Sequence, residues 1–546
     1  MKNSTQQGST PPRGRHPARK RRRTALTSAA LTGALAVVAL TGVPAEADHH
    51  HQASAPTTLW VDPDSTTVQA ARTLTGQARD DAVLLGSFAS ATWITSGTPS
   101  EAKAEARHVT TAAADDDAVP TIVVYDIPYR DCAQYSAGGA QDTAAYEAFV
   151  DAVAAGIGDR PAIVVLEPDG LGIIPWNTDL GGNAEWCQPA DVDRSTAVAD
   201  RYAQLNHAVD ALKAGEQTKV YLDGTHSGWL GAGDIADRLI KAGVERADGF
   251  FLNASNYEAT DHLVKYGTWI SDCIYLSTHS SWYQPSYCGS QYYPASPGDF
   301  STWALTDQKY ADDFASTGLA PDPAQQVHFV IDTSRNGVGP WTPPAGNGWP
   351  DAQVWCNPPD RGAGARPTLD PGVPLVDAYL WIKVPGESDG QCDRGTGDTD
   401  SAGRSTDPAR NGNADPAAGA WFAQQARELV SLAAPPFEAP TCRVTYRATK
   451  VTSRIWAGTV TVRNTSTSAV RDWKLTWSYT DGQRVALPLG ARVHQAGDDV
   501  TASPLLRTLA LRPGGTTTFA MTGTAPKAPG DAPMLFRLDG KACSVR

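Results

Sequence analysis

Short apolar runs that close on acids recur along this chain. Thr121–Tyr125 leads into Asp126 and Asp131, Ala162–Leu166 into Glu167 and Asp169, and Lys219–Leu222 into Asp223. Tyr379–Ile382 leads into Lys383, Glu387 and Asp389. Further strand-like runs are Ala82–Leu85, Gly249–Leu252 and His328–Ile331, and helical runs lie at Thr143–Gly156, Ser195–Gly215 and Gly233–Gly243. A last helix over Ala417–Leu432 is expected to close the domain. Strands and helices alternating at this spacing predict βαβ units and a parallel sheet. In an α/β barrel reactive groups gather where the strands end, so acids at those ends share one rim. That layout points to acid–base hydrolysis rather than cofactor chemistry.

The alternation from Trp60 to about Leu432 is interrupted by long Gly/Pro/Ser-rich stretches at Ser277–Phe300, Asn336–Gly372 and Gly386–Pro416. Long loops inside a compact domain usually carry function. These bear Trp282, Tyr283, Tyr287, Trp341, Trp349 and Trp355, rings suited to the apolar faces of sugars. After a short linker, 434–441, the pattern becomes strands only, at Thr459–Arg463, Trp473–Tyr479 and Thr516–Met521. This predicts a small β-sandwich over 442–546.

Composition places the chain outside the cell. Residues 1–47 hold eight basic side chains and one acid, an apolar stretch from about Ala25 to Val43, and Ala45-Glu46-Ala47 as a cleavage site. These are the elements of a secretory signal, and the arginine pairs also permit a twin-arginine route. Residues 48–57 read as a flexible N-terminus. His49, His50 and His51 within it would permit copper chelation by a secreted metalloprotein, a competing reading to a plain polar tail. The eight cysteines contain no Cys-x-x-Cys pair, so disulfides are the default and no metal or cofactor is expected. The net charge is −13; the terminal module carries +9 and residues 48–441 carry −29. So acidic a body excludes nucleic acid and anionic membranes as partners and suits a neutral polymer. The expected state is a monomer.

The acid-bearing motifs resemble a known family. Tyr125–Cys132 (YDIPYRDC), Leu166–Asp169 (LEPD), Tyr221–Trp229 (YLDGTHSGW) and Trp381–Asp389 (WIKVPGESD) are similar to the signatures of glycoside hydrolase family 6, secreted cellulases. Asn253–Tyr257, Asp332–Arg335 and Trp355–Asn357 match in the same order, so the resemblance covers about 58–433. It implies a distorted, incomplete parallel α/β barrel that cleaves β-1,4-glucosidic bonds of cellulose with inversion. Inversion needs a protonated carboxyl facing the leaving oxygen and a carboxylate that activates water from the other face. By motif, Asp169 matches the proton donor, Asp131 the acid that raises the donor's pKa, and Asp389 the base. Asp126 and Glu167 read as structural. Asp223 either tunes the site or pairs with Arg335 or Lys383. Substrate contacts carried over are Trp60, Asp62, Tyr125, His226, Trp229, Asn256, Trp355, Lys383 and Glu387. The resemblance pairs Cys132–Cys187 and Cys356–Cys392; the module's ends suggest Cys442–Cys543, leaving Cys273–Cys288.

Two departures stand out. The family places a water-holding serine where Ala137 stands, beside Ser136. The module resembles carbohydrate-binding module family 2 through Cys442, Trp473–Trp477, Pro513 and Cys543, but its three cellulose-gripping tryptophans align near Ser453, Leu489 and Leu505 or Leu506. Weak binding of crystalline cellulose is therefore expected. The loop after Asp389 is intermediate in length and tips the reading slightly toward an endoglucanase. The alternatives are an exo-acting cellobiohydrolase and a glycan-binding protein without catalysis.

Overall fold

The computed structural model describes residues 58–506 and 509–546. The expected export signal, 1–47, and the N-terminal segment 48–57 lie outside the described residues.

Seven strands form one parallel sheet in sequential order: β1 (Thr92–Ile94), β2 (Thr121–Val124), β3 (Ala162–Leu166), β4 (Thr218–Asp223), β5 (Gly249–Leu252), β6 (His328–Asp332) and β7 (Val376–Leu380). Alternate residues feed two cores. Ile122, Val124, Val164, Leu166, Val220 and Leu222 face the surrounding helices. Val123, Ile163, Val165, Tyr221, Phe251 and Val330 fill the inside of the curl. That period of two is what a strand covered on both faces requires. The sheet curls until the Ala91 N–H reaches the Trp381 carbonyl at 3.0 Å and the Trp93 Nε1–H reaches the Ile382 carbonyl at 2.8 Å. No ladder joins β1 to β7, so the barrel is incomplete.

Local chemistry sets the helices. Pro99–Asp115 begins with a reciprocal Thr98/Glu101 capping box and Pro at its first turn, which satisfies otherwise orphaned N–H groups. Thr143–Ile157 starts on the Asp142 side chain and stops at Gly158, φ +59°. Two expectations need correction. Ala82–Leu85 is not a strand but lies within the helix Gly76–Gly86; a short apolar run is ambiguous on its own, and here Ala82, Val83 and Leu85 form the buried side of that helix. The closing helix covers only Ala423–Ser431. Ahead of it Phe422 N–H is drawn to the Gly386 carbonyl and Ser388 N–H to the Ala420 carbonyl, so 417–422 serves the loop of Asp389 instead.

The C-terminal module pairs two five-stranded sheets. One contains β8 (Cys442–Lys450), β9 (Ile455–Asn464), β11 (Arg484–Leu489) and β14 (Thr516–Thr524). The other contains β10 (Leu475–Ser478), β12 (Ala491–Ala496) and β13 (Asp499–Pro504). All three tryptophans of the module, Trp456, Trp473 and Trp477, are buried between the sheets. The module is not loosely tethered. Val68, Ala71, Ala82 and Val83, from the helices Thr66–Thr73 and Gly76–Gly86, pack into the same core as its own side chains. Arg72 reaches Thr480 at 3.2 Å and Asp531 at 3.5 Å, and Arg537 donates to the Ser87 carbonyl. In the linker, Phe437 lies 5.5 Å from Phe88 with the Arg366 guanidinium 3.6 Å over its ring. Disulfides join Cys132–Cys187, Cys273–Cys288, Cys356–Cys392 and Cys442–Cys543. Among the described residues no helix is long and apolar enough to cross a membrane.

Candidate active site

The C-terminal ends of the strands open into a cleft of about 390 Å³. It is lined by Asp131, Asp169 and Asp389, and by Tyr125, His226, Trp229, Asn256, Trp355 and Lys383.

After β3 the chain bends twice through the left-handed region, at Glu167 (φ +54°) and Asp169 (φ +64°), with Pro168 between them. Non-glycine residues rarely take this conformation, and clusters of it mark functional turns. Glu167 is fully buried and accepts the N–H groups of Asp126 and Ile127 at 3.0 Å, tying the end of β2 to β3. Burial pushes it up to about 7. Asp223 does the same for the next strand, accepting Leu171, Gly172 and Thr225 N–H groups at 2.9–3.1 Å. It pairs with neither Arg335 nor Lys383; both of those go to Asp389. The chain between these two anchors carries Asp169.

Asp169 is held well above the usual carboxylate range, first by burial and then by the charges of Asp223 and Asp131. Asp131 follows an equally bent segment, with Tyr129 and Asp131 both at φ +57°. Arg130 pins that segment by donating to the Ser136 and Thr95 carbonyls at 2.9 and 2.8 Å. Burial raises Asp131 to about 6, against the Ser136 N–H at 2.8 Å and the Arg130 charge. Asp389 behaves oppositely. Burial disfavours its charge, yet Arg335 at 2.9 Å and Lys383 at 3.5 Å overcome this and hold it below its ordinary value. Asn357 N–H at 2.9 Å and Tyr257 O–H at 3.3 Å complete its shell. The cleft therefore pairs a carboxyl that keeps its proton with one that sheds it, the division acid–base hydrolysis requires.

The neutral and aromatic groups are equally ordered. Burial lowers His226 to about 4, so its ring is neutral. Its Nδ1 accepts the Gly228 N–H at 3.2 Å, leaving Nε2–H as a donor. The Trp229 ring covers Gly172, where an added Cβ would come within 2.4 Å of it, so only glycine permits this wall. Tyr125 lies under the Arg130 guanidinium at 4.6 Å.

Three expected contacts fall elsewhere. Trp60 is buried among helix-facing side chains, with its Nε1–H on Asp116 at 2.8 Å. Asp62 turns the chain by accepting the Asp64 N–H at 2.8 Å. Glu387 lies outside the cavity wall and receives the Thr66 hydroxyl. The tryptophan on the first strand that does face the cleft is Trp93, set edge-on to Tyr125 at 5.5 Å. Its signal in the sequence is an aromatic inside a short run, Ala91–Ile94, before the turn at Thr95. Trp186, Trp341 and Glu258 also line the cleft and come from loops with no readable period. Ser136 and Gln134 face the cavity, whereas Ala137 lines a neighbouring surface recess. Among the described residues one group of side chains has metal-ligand geometry, Cys392, Asp407 and Asp415. Cys392 is spent in its disulfide and Asp407 in two bonds to Arg394 at 2.9 and 2.6 Å.

Carboxyls of opposed acidity in a tryptophan-walled cleft, on the rim of a parallel barrel, define a glycoside hydrolase. The chain belongs to the glycosyl hydrolases family 6, whose family model matches residues 54–433; it is a cellulase, a hydrolase of cellulose. A cellulose binding domain model matches residues 442–543. Endoglucanase A of Thermobispora bispora is 29% identical over 79% of this chain and 81% of its own length. A probable 1,4-beta-D-glucan cellobiohydrolase C of Aspergillus terreus is 31% identical over 60% of this chain and 62% of its own. The solved endoglucanase Cel6 of Mycobacterium tuberculosis is 31% identical, covering 69% of this chain and 97% of that one, with a TM-score of 0.49.

Proposed function

We propose that the chain is an extracellular, inverting endoglucanase, with residues 58–433 as its catalytic domain and Asp169 as proton donor. The observation that carries this reading is the contrast between Asp169, recessed and raised beside two other carboxyls, and Asp389, lowered between Arg335 and Lys383.

A glucan chain lies along the cleft with Trp93, Trp229 and Trp355 against sugar faces and Lys383, Asn256 and His226 Nε2–H meeting hydroxyls. Trp93 takes the stacking role expected of Trp60. Tyr125 sits beneath the sugar at the scission point. Asp169 gives its proton to the glycosidic oxygen as the bond breaks. Asp131, ionised above about pH 6, keeps that proton on Asp169 until the transition state needs it. A water on the opposite face attacks the anomeric carbon. Ser136 and Gln134 are the polar side chains placed to hold it in the absence of a serine at position 137. Asp389 is fully engaged by its partners and so is a weak base; the proton reaches it through water rather than by direct contact.

Cutting within chains is supported by a solvent-facing rim, since Trp186 and Val354 are both about half exposed, and by the relative named an endoglucanase. Cutting from ends is favoured by a different observation. Tyr135, on the loop after Asp131, reaches Asp393 at 3.3 Å and Trp355 at 5.9 Å, a bridge between loops that a tunnel roof would need. Export is supported by the four disulfides. The deciding measurement is viscosity loss per reducing end released from carboxymethylcellulose. A steep early fall bears out the endo reading; little fall with steady release of cellobiose overturns it. Anomeric configuration followed by NMR tests the mechanism, which retention would contradict.

A further inference from the structure

Among the described residues five tryptophan or tyrosine side chains stand out as exposed, and four of them sit on one loop. These are Trp282 (52%), Tyr287 (46%), Tyr292 (44%) and Tyr293 (76%); the fifth, Trp186, lines the cleft. Rings of this size are normally half-hidden, and an exposed cluster marks a surface with something to bind.

The loop is held rigid from beneath. Cys273–Cys288 ties it to the helix Thr260–His279. Gln291 is fully buried and donates to the Ser227 and Leu230 carbonyls at 3.0 and 2.8 Å. Tyr283 O–H and Tyr310 O–H anchor to Asp313 and the Gly289 carbonyl at 2.6 and 2.9 Å. The rings are thus displayed on a fixed frame, and a ligand would not have to order them.

The loop is also continuous with the cleft. Tyr292 donates its hydroxyl to the carbonyl of Trp229, a cleft-wall residue, at 2.7 Å. A Cβ on Gly231 would lie 3.8 Å from the Tyr292 ring, and one on Gly233 would strike the Pro285 carbonyl. The loop thus packs down over the start of the helix Ala232–Lys241, whose Ala232 and Gly233 it helps bury, and carries Tyr292 beside Trp229 and the Trp282–Tyr287 pair further along. Trp282 and Tyr287 lie 6.3 Å apart and 39° from parallel. Between Trp282 and Tyr287 the exposed side chains besides the rings are Gln284 and Ser286, and no Val, Leu or Ile lies between the rings. Aromatic faces spaced by small polar groups suit a sugar chain better than a protein surface, whose buried centre is more uniformly apolar.

We propose that this loop is a second β-1,4-glucan-binding platform outside the catalytic cleft, holding polymer that continues past Trp229. The proposal takes the cleft as a cellulase cleft, and the test separates the two. In the full chain, Trp282, Tyr287 and Tyr293 are replaced by alanine together; Tyr292 is left to hold Trp229. Retardation in native gels containing hydroxyethylcellulose is compared with turnover of the short oligomer cellotetraose. Retardation should weaken at least about tenfold while cellotetraose kcat/KM stays within about twofold. Unchanged retardation overturns the platform. A parallel loss of cellotetraose turnover also overturns it, because the loop would then only prop the cleft wall. So does a changed sedimentation coefficient without loss of retardation, which would make the patch a contact between copies. Absence of cellotetraose hydrolysis in the unmodified chain would instead refute the reading of the cleft.

Discussion

Replacing Asp169 with alanine tests the donor assignment most directly. One other cleft carboxyl, Glu258, is also raised by burial, but it is turned to the Ser227 hydroxyl at 3.4 Å and the His226 ring at 3.9 Å, and the remaining groups have no proton to give the leaving oxygen. Asp131 titrates near 6 and is ionised at neutrality, Asp389 is held ionised by two cations, and His226 is neutral with its proton on Nε2. The whole general-acid contribution should therefore disappear, about 10²–10⁴ in rate, or about 3–5 kcal/mol of barrier. The loss depends on how badly the leaving group needs the proton. On cellotetraose, whose leaving group is a sugar alkoxide, kcat should fall by about three orders of magnitude. On a dinitrophenyl cellobioside, whose leaving group departs as a stable anion, it should fall much less. The pH profile supplies the sign. Activity in the unmodified enzyme needs Asp169 protonated, so it declines as pH rises through the raised pKa. The alanine variant has no such group, and its alkaline limb on the aryl substrate should be absent. Asp131→Asn removes one of the charges that raise Asp169 and should move the limb of the otherwise intact enzyme toward acid. Equal losses on both substrates, or an alkaline limb that survives in Asp169→Ala, would refute the assignment.

Two further outcomes are expected. Asp389→Ala leaves Arg335 and Lys383 unpaired in the interior, so it should lower stability by about 3–5 kcal/mol, read by denaturant unfolding; added azide should restore some of both stability and turnover, and no response to azide would argue that Asp389 is purely structural. The full chain should bind microcrystalline cellulose weakly through its module, because Trp456, Trp473 and Trp477 are buried while Leu489 and Leu506 are exposed. Leu489→Trp with Leu506→Trp should raise retention in a pull-down, and strong retention of the unmodified chain that survives loss of the Trp282 loop would contradict this.

Much of the site is legible in the chain because its acids follow strands whose apolar runs are unmistakable. Leu166 and Leu222 lie at the ends of buried strands, and the next few residues can only emerge on the rim. Orientation is what the chain does not reveal. Leu59–Val61 and Ala91–Ile94 both read as short apolar segments with a tryptophan. Only tertiary packing decides that Trp60 turns among the helices to meet Asp116 while Trp93 turns into the cleft. Glu387 reads as a sugar ligand because it sits in a motif with Lys383 and Asp389, but a few residues of loop are enough to face it toward Thr66. Ala82–Leu85 resembles a strand since four apolar residues carry no period of their own. The docked module leaves no trace in the sequence at all, because Val68, Ala71, Ala82 and Val83 complete its core from far up the chain.

That docking turns the enzyme into a gauge of fixed length. A module on a free tether searches a volume and adds affinity wherever its linker can reach. Here Phe437 is clamped between Phe88 and Arg366, and the helix Thr66–Thr73 has one end on Glu387, beside the Asp389 loop, and one face in the module's core. The distance from cleft to module face cannot be adjusted by the chain. Cellulose repeats along its axis, so any two grips on one strand must fall at a whole number of repeats. Were tryptophans restored to the module's face, as by Leu489→Trp with Leu506→Trp, a rigid span would engage cleft and module together only at the few registers its own dimensions allow, and would have to let go of one grip to advance.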